Sequence, residues 1–370
     1  MKILKALFLY PVSLLYGFIT RVRNMLYDIN VFKSYEFDVP VISVGNITVG
    51  GTGKTPMTEF LVKFLKTDYK PAVLSRGYKR KSKGFHVVNA DSQLRDVGDE
   101  PLQIKQKFPD VTVAVDGNRV RGIRKIMEDF PETSVILLDD AFQHRRVKPG
   151  FSILLSDFGR SMKDDNFLPY GRLRESIAEL HRAHIIIITK TPETIKPIEM
   201  RITAENLNIK PYQTLYFSSL KYRHLEAVFP GKQIIRTIED LQSESASVLL
   251  VTGIANSLPL VEFLDTKTQD LIHLKFPDHH NFKEKDLKKI FAKFKAIKSP
   301  NKAVITTEKD ALRLRAVEEF VSEDFKAHIY YIPISVRFIS PPYEEFEEQM
   351  HHHIKTSTSN NKFFAARRDY

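Results

Sequence analysis

The chain has 370 residues, 42% of them hydrophobic and 27% charged, with 56 Lys and Arg against 45 Asp and Glu for a net charge of +11. That length exceeds the usual size of a single core, so two domains are expected, and the positive balance points to a polyanion: nucleotide, nucleic acid or an anionic membrane. With no cysteine present, disulfides, thiolate zinc sites and cysteine nucleophiles are excluded.

Residues 1–38 read as an N-terminal membrane-interface region. Residues 6–20 carry no charge, are rich in Leu, Phe and Tyr, and are flanked by Lys2 and Lys5 and by Arg21 and Arg23. Such a segment reaches about 22 Å as a helix, short of a hydrocarbon core of roughly 30 Å. A crossing helix is therefore disfavoured, and no small-residue cleavage site marks a signal peptide. An interfacial helix with Tyr10 and Tyr16 at the boundary is preferred; the alternative is a helix packed on the core.

From 39 to 210, apolar runs of strand length at 39–44, 72–75, 111–116, 135–140, 151–156 and 185–189 alternate with helix-like patterns. The alternation predicts an α/β core with a mostly parallel sheet flanked by helices, whose ligands sit beyond the carboxyl ends of the strands. The first run turns through Gly45 and Asn46 into Thr48, Val49, Gly50, Gly51, Thr52, Gly53, Lys54 and Thr55, followed by a helical pattern to Leu65. This is the order of a P-loop: glycines let the backbone wrap a polyphosphate at a helix N-terminus, Lys54 reaches the β- and γ-phosphates, and the Thr55 hydroxyl suits Mg²⁺. The usual spacing would put glycine where this chain has Thr48.

The run at 135–140 ends in Asp139 and Asp140, the arrangement of a Walker B strand, whose acid orders the metal beside Lys-Thr. Gln143 and His144 follow closely. Asp99, with Glu100 and Pro101 after it, reads as a helix N-cap when taken alone. Arg119, Arg121 and Arg174 stand near strand ends and are candidates for phosphate contacts. Residues 211–246 read as a strand-like connector and 247–340 as a smaller α/β domain, with Asp278, His279 and His280 on a loop. Residues 341–370, with His351, His352 and His353, read as a polar, disordered tail with solvated histidines.

In chain order, Gly45 and Asn46 leading into the P-loop, Gly98-Asp99-Glu100-Pro101, Asp139-Asp140 with Phe142, Gln143 and His144, Pro169 with Arg174-Glu175, Asp278-His279, and Thr307-Glu308-Lys309-Asp310-Ala311 resemble the motifs of the tetraacyldisaccharide 4′-kinases, the lipid A kinases of Gram-negative bacteria. The resemblance covers about residues 1–340; one family-typical glycine is Ala141 here. It implies a P-loop kinase that moves a phosphoryl group from ATP to the 4′-hydroxyl of an acylated disaccharide 1-phosphate, with Mg²⁺ held by Thr55, Asp139 and Asp140. It further implies that Asp99 accepts the hydroxyl proton with His279 paired to it, that Lys54 serves catalysis, and that Glu100, Arg119, Arg121, Gln143, His144 and Arg174 contact substrate or phosphate. At roughly 0.8 kcal/mol per methylene, drawing such acyl chains into water costs tens of kcal/mol, so the expected workplace is the cytosolic face of the bacterial inner membrane, in a peripheral or monotopic mode. Two other readings compete with this one. A GTPase switch wants Asn-Lys-x-Asp, and neither Asn301-Lys302 nor Asn361-Lys362 is followed by the Asp. A nucleic-acid-dependent ATPase has only net charge behind it, without aromatic stacking motifs, and no nucleic acid is expected as a partner.

Overall fold

The computed structural model describes residues 2–163, 165–231 and 237–366. Met1, residues 232–236 of the expected connector and residues 367–370 of the expected tail lie outside the described residues, as do the side chains of Lys2 and Lys5. The chain divides into two units, 1–220 with 336–370, and 221–335.

The larger unit holds β1 (Val41–Gly45), β2 (Pro71–Ser75), β3 (His86–Val87), β4 (Thr112–Val115), β5 (Val135–Asp139), β6 (Phe151–Asp157), β7 (Ile185–Thr189) and β8 (Thr214–Tyr222). The smaller contains β9 (Glu226–Ala227), β10 (Ser247–Thr252), β11 (Asp270–Lys275), β12 (Lys302–Thr307) and β13 (Ile329–Ile332), after which β14 (Ile334–Ser340) returns to the first sheet. That sheet has nine strands in the order β14-β8-β7-β6-β1-β5-β2-β4-β3. Every neighbouring pair from β8 to β4 is parallel. The continuous apolar runs have a simple cause: every residue of β1, β2, β5 and β7 is buried, as in a sheet covered on both faces. For the site, the decisive feature is that β1 pairs with β5 with Val44 opposite Asp139, so the loops leaving both strands emerge together.

Five helices matter to the site: α1 (Lys2–Asp28), α2 (Lys54–Leu65), α3 (Leu94–Val97), α4 (Asp99–Lys107) and α5 (Arg119–Asp129). In α1 the usual amphipathic logic is inverted. Its inward stripe is Ser13, Gly17, Thr20 and Asn24, all buried, while Leu7, Phe8, Leu14, Leu15, Phe18 and Ile19 are more than half exposed. Small size lets the stripe approach closely, since a Cβ on Gly17 would fall 2.5 Å from the Phe167 ring. Tyr16 donates to the Arg174 carbonyl at 3.2 Å and Asn24 to Glu175 at 3.1 Å. The helix does pack on the core, as the alternative expectation held, yet its apolar side remains outside. The expected cationic flank is altered: Arg23 donates to the Gln143 carbonyl at 2.6 Å, and Arg21 lies over the Phe167 ring at 5.4 Å. No helix among the described residues is long and apolar enough to cross a membrane.

Two boundaries depart from expectation. The connector at 211–246 is split, with β8 in the larger sheet and β9 antiparallel to β13 at the edge of the smaller, whose order is β11-β10-β12-β13-β9. Such ladder partners are distant in sequence, so local pattern could not divide the segment. The tail is likewise not disordered over its described length: it forms the helix Tyr343–Ala366, in which Phe346, Met350 and Ile354 are buried. Their four-residue spacing is a helical stripe inside a polar composition. Phe346 meets Phe60 of α2 at 5.9 Å, and Gln349 bonds Tyr216 at 3.1 Å. Nor are the histidines simply solvated, since His351 bonds Tyr69 at 3.1 Å and His353 packs on Phe151 at 4.3 Å. Met350→Ala should therefore lower stability by about 2–4 kcal/mol. An unchanged urea midpoint would mean that this helix adds nothing to the core.

Candidate active site

β1 delivers the chain into the phosphate-loop sequence, and the loop is braced on both sides. Asn46 donates to the Thr52 hydroxyl at 2.7 Å, and the Thr189 hydroxyl donates to the Thr52 carbonyl at 2.9 Å. Thr48 forms an antiparallel bridge with Leu173, and the Val49 N–H donates to the Arg172 carbonyl at 2.8 Å. An extended, bridged residue needs no glycine, which explains why Thr48 is accommodated. Glycine is required instead at Gly50 and Gly53, with φ of 111° and 83°. Gly53 is the N-cap position of α2, and Lys54 and Thr55 open the helix, where unpaired N–H groups favour an anion.

Asp139 and Asp140 leave β5 beside this loop and differ sharply. Asp139 is buried and accepts hydrogen bonds from Thr58 at 3.1 Å and Ser75 at 3.2 Å. Burial, with the nearby Glu100 and Asp140 charges, pushes its carboxyl up to about 6. For Asp140, burial acts in the same direction but Lys54 and Arg174 outweigh it and hold the carboxyl below its usual range. Lys54 Nζ lies 3.7 Å from Asp140, and Arg174 donates to both its oxygens at 2.9 and 3.1 Å. Asp140 itself adopts φ 46°, a turn that aims it back at the cations. Gln143 spans the gap, accepting from Arg174 at 3.4 Å and donating to the Asn46 carbonyl at 2.7 Å.

Glu100 comes to this cluster from α4, accepting a hydrogen bond from the Thr55 hydroxyl at 3.2 Å. The sequence reading grouped it with substrate contacts; here it sits at the P-loop threonine. Asp99 is not the N-cap. That position belongs to Gly98, at φ 90° and ψ 158°, leaving Asp99 and Glu100 in the first turn. The arginines also sort themselves. Arg119 is buried and spends its terminal nitrogens on the carbonyls of Asp116 at 2.6 Å and Asp139 at 3.2 Å, a clamp across the ends of β4 and β5 rather than a hand held out to a phosphate. Burial lowers its pKa to about 10, so it stays a cation at neutral pH. Arg121 is bidentate to the buried Asp116 at 2.8 Å. His144 approaches the Gly117 carbonyl at 3.1 Å; burial and then Arg119 push it down to about 4, leaving a neutral ring.

His279 stands in the smaller unit, on the loop after β11, at φ 59° with its N–H on the Gly253 carbonyl at 3.0 Å. The adjacent His280 is engaged by Asp286 at 2.9 Å. Sequence reasoning overlooked Thr58 and Lys190. Thr58 lies one helical turn after Lys54, on the face that continues with Leu61, Val62 and Leu65, and a hydroxyl between the P-loop lysine and those apolar residues was its signal. Lys190, just past β7, donates to the Gly51 carbonyl and to Asp157.

Among the described residues no group of three or more carboxylates and imidazoles forms a ready metal cage. The donor set still fits Mg²⁺, which takes one or two carboxylates and completes its shell with water and phosphate oxygens. Thr55, Asp139, Asp140 and Glu100 are all hard oxygen donors, and Asp139 is raised first by burial and then by the Glu100 and Asp140 charges gathered beside it.

The family model for the tetraacyldisaccharide-1-P 4′-kinases, LpxK, matches residues 5–355. Similar proteins include the tetraacyldisaccharide 4′-kinase of Bacteroides thetaiotaomicron, 46% identical with 96% of this chain and 95% of that protein covered. That of Parabacteroides distasonis is 47% identical over 95% and 96%. Among solved structures, LpxK from Aquifex aeolicus in complex with ATP superposes with a TM-score of 0.70 at 27% identity, covering 93% of this chain and 98% of that one. With the P-loop, the paired aspartates and a match along nearly the whole length, the chain belongs to the LpxK family of tetraacyldisaccharide-1-P 4′-kinases.

Proposed function

We propose that this chain transfers the γ-phosphoryl group of ATP to the 4′-hydroxyl of a tetraacylated glucosamine disaccharide 1-phosphate, a step in lipid A synthesis. The observation that carries the reading is the meeting of Lys54, Asp140 and Arg174 at the mouth of the P-loop, beside a buried Asp139. Phosphoryl transfer needs little from a protein beyond positioning and charge, and these groups provide both. Lys54 and the N–H groups opening α2 take the β- and γ-phosphates. Arg174, held against Asp140, adds a second cation near the transferred group. Mg²⁺ would be held by Thr55, Asp139 and Asp140, with Glu100 joining them, and when bound it supplies compensation for the charge on the phosphates. Asp99 accepts the proton of the sugar hydroxyl and His279 supports it, as the family motifs imply.

The same reading places the enzyme at an anionic membrane surface, on the cytosolic face of the inner membrane. What supports this is α1, whose outward side chains, 56–68% exposed at Leu7, Phe8, Leu14, Leu15, Phe18 and Ile19, would each gain roughly 1–2 kcal/mol on leaving water. Basic residues near anionic headgroups add about 1 kcal/mol each, weakened by salt.

The direct test is ATP-dependent labelling of a detergent-dispersed acylated disaccharide 1-phosphate by the purified chain. In that assay Lys54→Ala should abolish transfer while the protein keeps its native circular dichroism; near-normal turnover would refute the nucleotide assignment. For Asp99 and His279, each Ala substitution should lower kcat roughly 10²–10⁴-fold, and the double should cost much less than the product. Effects that simply multiply would separate their roles. For α1 the informative change is Leu15→Glu with Phe18→Glu, because both side chains are exposed whereas truncation would strip the buried polar stripe. The variant should lose binding to anionic liposomes and keep its affinity for ATP, and full retention of liposome binding would move the docking surface elsewhere.

A further inference from the structure

The loop that carries His279 is tied to an ion pair in the interior of the smaller unit. Arg313, on the helix Glu308–Arg315 that follows β12, is 4% exposed. Its Nη1 donates to Asp310 Oδ1 at 2.9 Å and to the Gly253 carbonyl at 3.2 Å. Asp310 is fully buried and accepts further hydrogen bonds from the Gly253 N–H and the Thr307 hydroxyl, both at 2.8 Å. The Gly253 carbonyl in turn accepts the His279 N–H at 3.0 Å. No larger residue fits at that junction without displacement, since a Cβ on Gly253 would lie 3.0 Å from Asp310 Oδ1. A buried charge pair therefore holds a non-glycine residue in the left-handed region, a conformation that persists only where surrounding contacts impose it.

The second terminal nitrogen of Arg313 decides the chemistry. Arg313 Nη2 lies 3.0 Å from His279 Nδ1. A guanidinium has donors only, so Nδ1 must be the acceptor and the ring proton of the neutral imidazole must sit on Nε2. The opposite tautomer would set an Nδ1–H donor against the Arg313 N–H. Among the charged groups near this ring, the Asp278 carboxylate is 3.9 Å from Nε2 and Asp310 lies behind Arg313, while the neighbouring His280 is turned to Asp286.

We propose that Arg313 is the positioning residue for His279, holding its ring as the Nε2–H tautomer so that it acts as a hydrogen-bond donor and not as a proton acceptor. The proposal rests on the reading of His279 as a participant in phosphoryl transfer. It assigns to the Asp310–Arg313 pair a task beyond packing.

The test uses the full chain labelled with ¹⁵N-histidine, with the His279 resonances identified by their loss in His279→Gln and the tautomer read from long-range ¹H–¹⁵N spectra at neutral pH. The wild type should show the Nε2–H pattern. Arg313→Met, which keeps the stem but removes every donor, should give a mixture of tautomers and a kcat lower by roughly 10–100-fold with KM for ATP unchanged. Arg313→Lys, which retains a charged donor, should recover part of both. An Nδ1–H or doubly protonated ring in the wild type overturns the proposal, whether or not the Arg313→Met protein folds. So does Arg313→Met with wild-type tautomer and kcat. Wild-type kcat in His279→Gln would instead remove the role of His279 in turnover, and with it the catalytic purpose of the pair, while the spectra still report whether Arg313 sets the tautomer.

Discussion

Two adjacent carboxylates at the end of a buried parallel strand cannot be left to themselves, and much of the larger unit is arranged around their charge. The register that sets Val44 opposite Asp139 brings them to the P-loop. Taking like charges out of water is costly unless cations or hydrogen bonds answer them. Asp140 is answered by Lys54 and Arg174. Asp139 accepts hydrogen bonds from the hydroxyls of Thr58 and Ser75, and burial, followed by the Glu100 and Asp140 charges, keeps its carboxyl raised. A site with a paired and an underpaired carboxylate side by side has room for added positive charge next to a loop built for phosphate.

The constraint reaches outward through the segment 172–175. Its backbone braces the P-loop, through the Val49 N–H on the Arg172 carbonyl and the Arg174 N–H on the Ile47 carbonyl at 2.7 Å. The Arg174 side chain meets Asp140, and Glu175, fully buried, accepts from Arg182 at 2.6 Å and from Asn24 of α1. One short strip of chain therefore joins the P-loop, Asp140 and the helix whose apolar face points outward. The inverted helix follows from that joint: its inner face must supply small and polar groups to reach backbone carbonyls and a buried carboxylate, which leaves the apolar residues for the outer side.

In the smaller unit a comparable economy holds at His279. A buried ion pair is weak evidence for stability, because desolvation offsets most of its attraction. Here the pair also serves to orient a backbone carbonyl and a ring nitrogen, tasks that an apolar substitute of equal volume could not perform.

The sequence by itself determined the alternation that makes an α/β sheet, the P-loop, the two aspartates, and the family motifs, because each is written in contiguous residues whose local conformation and chemistry suffice. It also showed that Thr48 breaks the standard spacing, but not why this is tolerated, since the bridge to Leu173 spans more than a hundred residues. Only the tertiary structure decided which like residues do unlike work. Arg119 became an internal clamp and Arg174 a site cation; Glu100 moved to Thr55; Asp139 and Asp140 were set apart in charge. The C-terminal helix and the split of 211–246 belong to the same class. Burial, pairing and pKa depend on neighbours distant along the chain, and one residue's letter does not carry the dielectric or the charges that folding places around it.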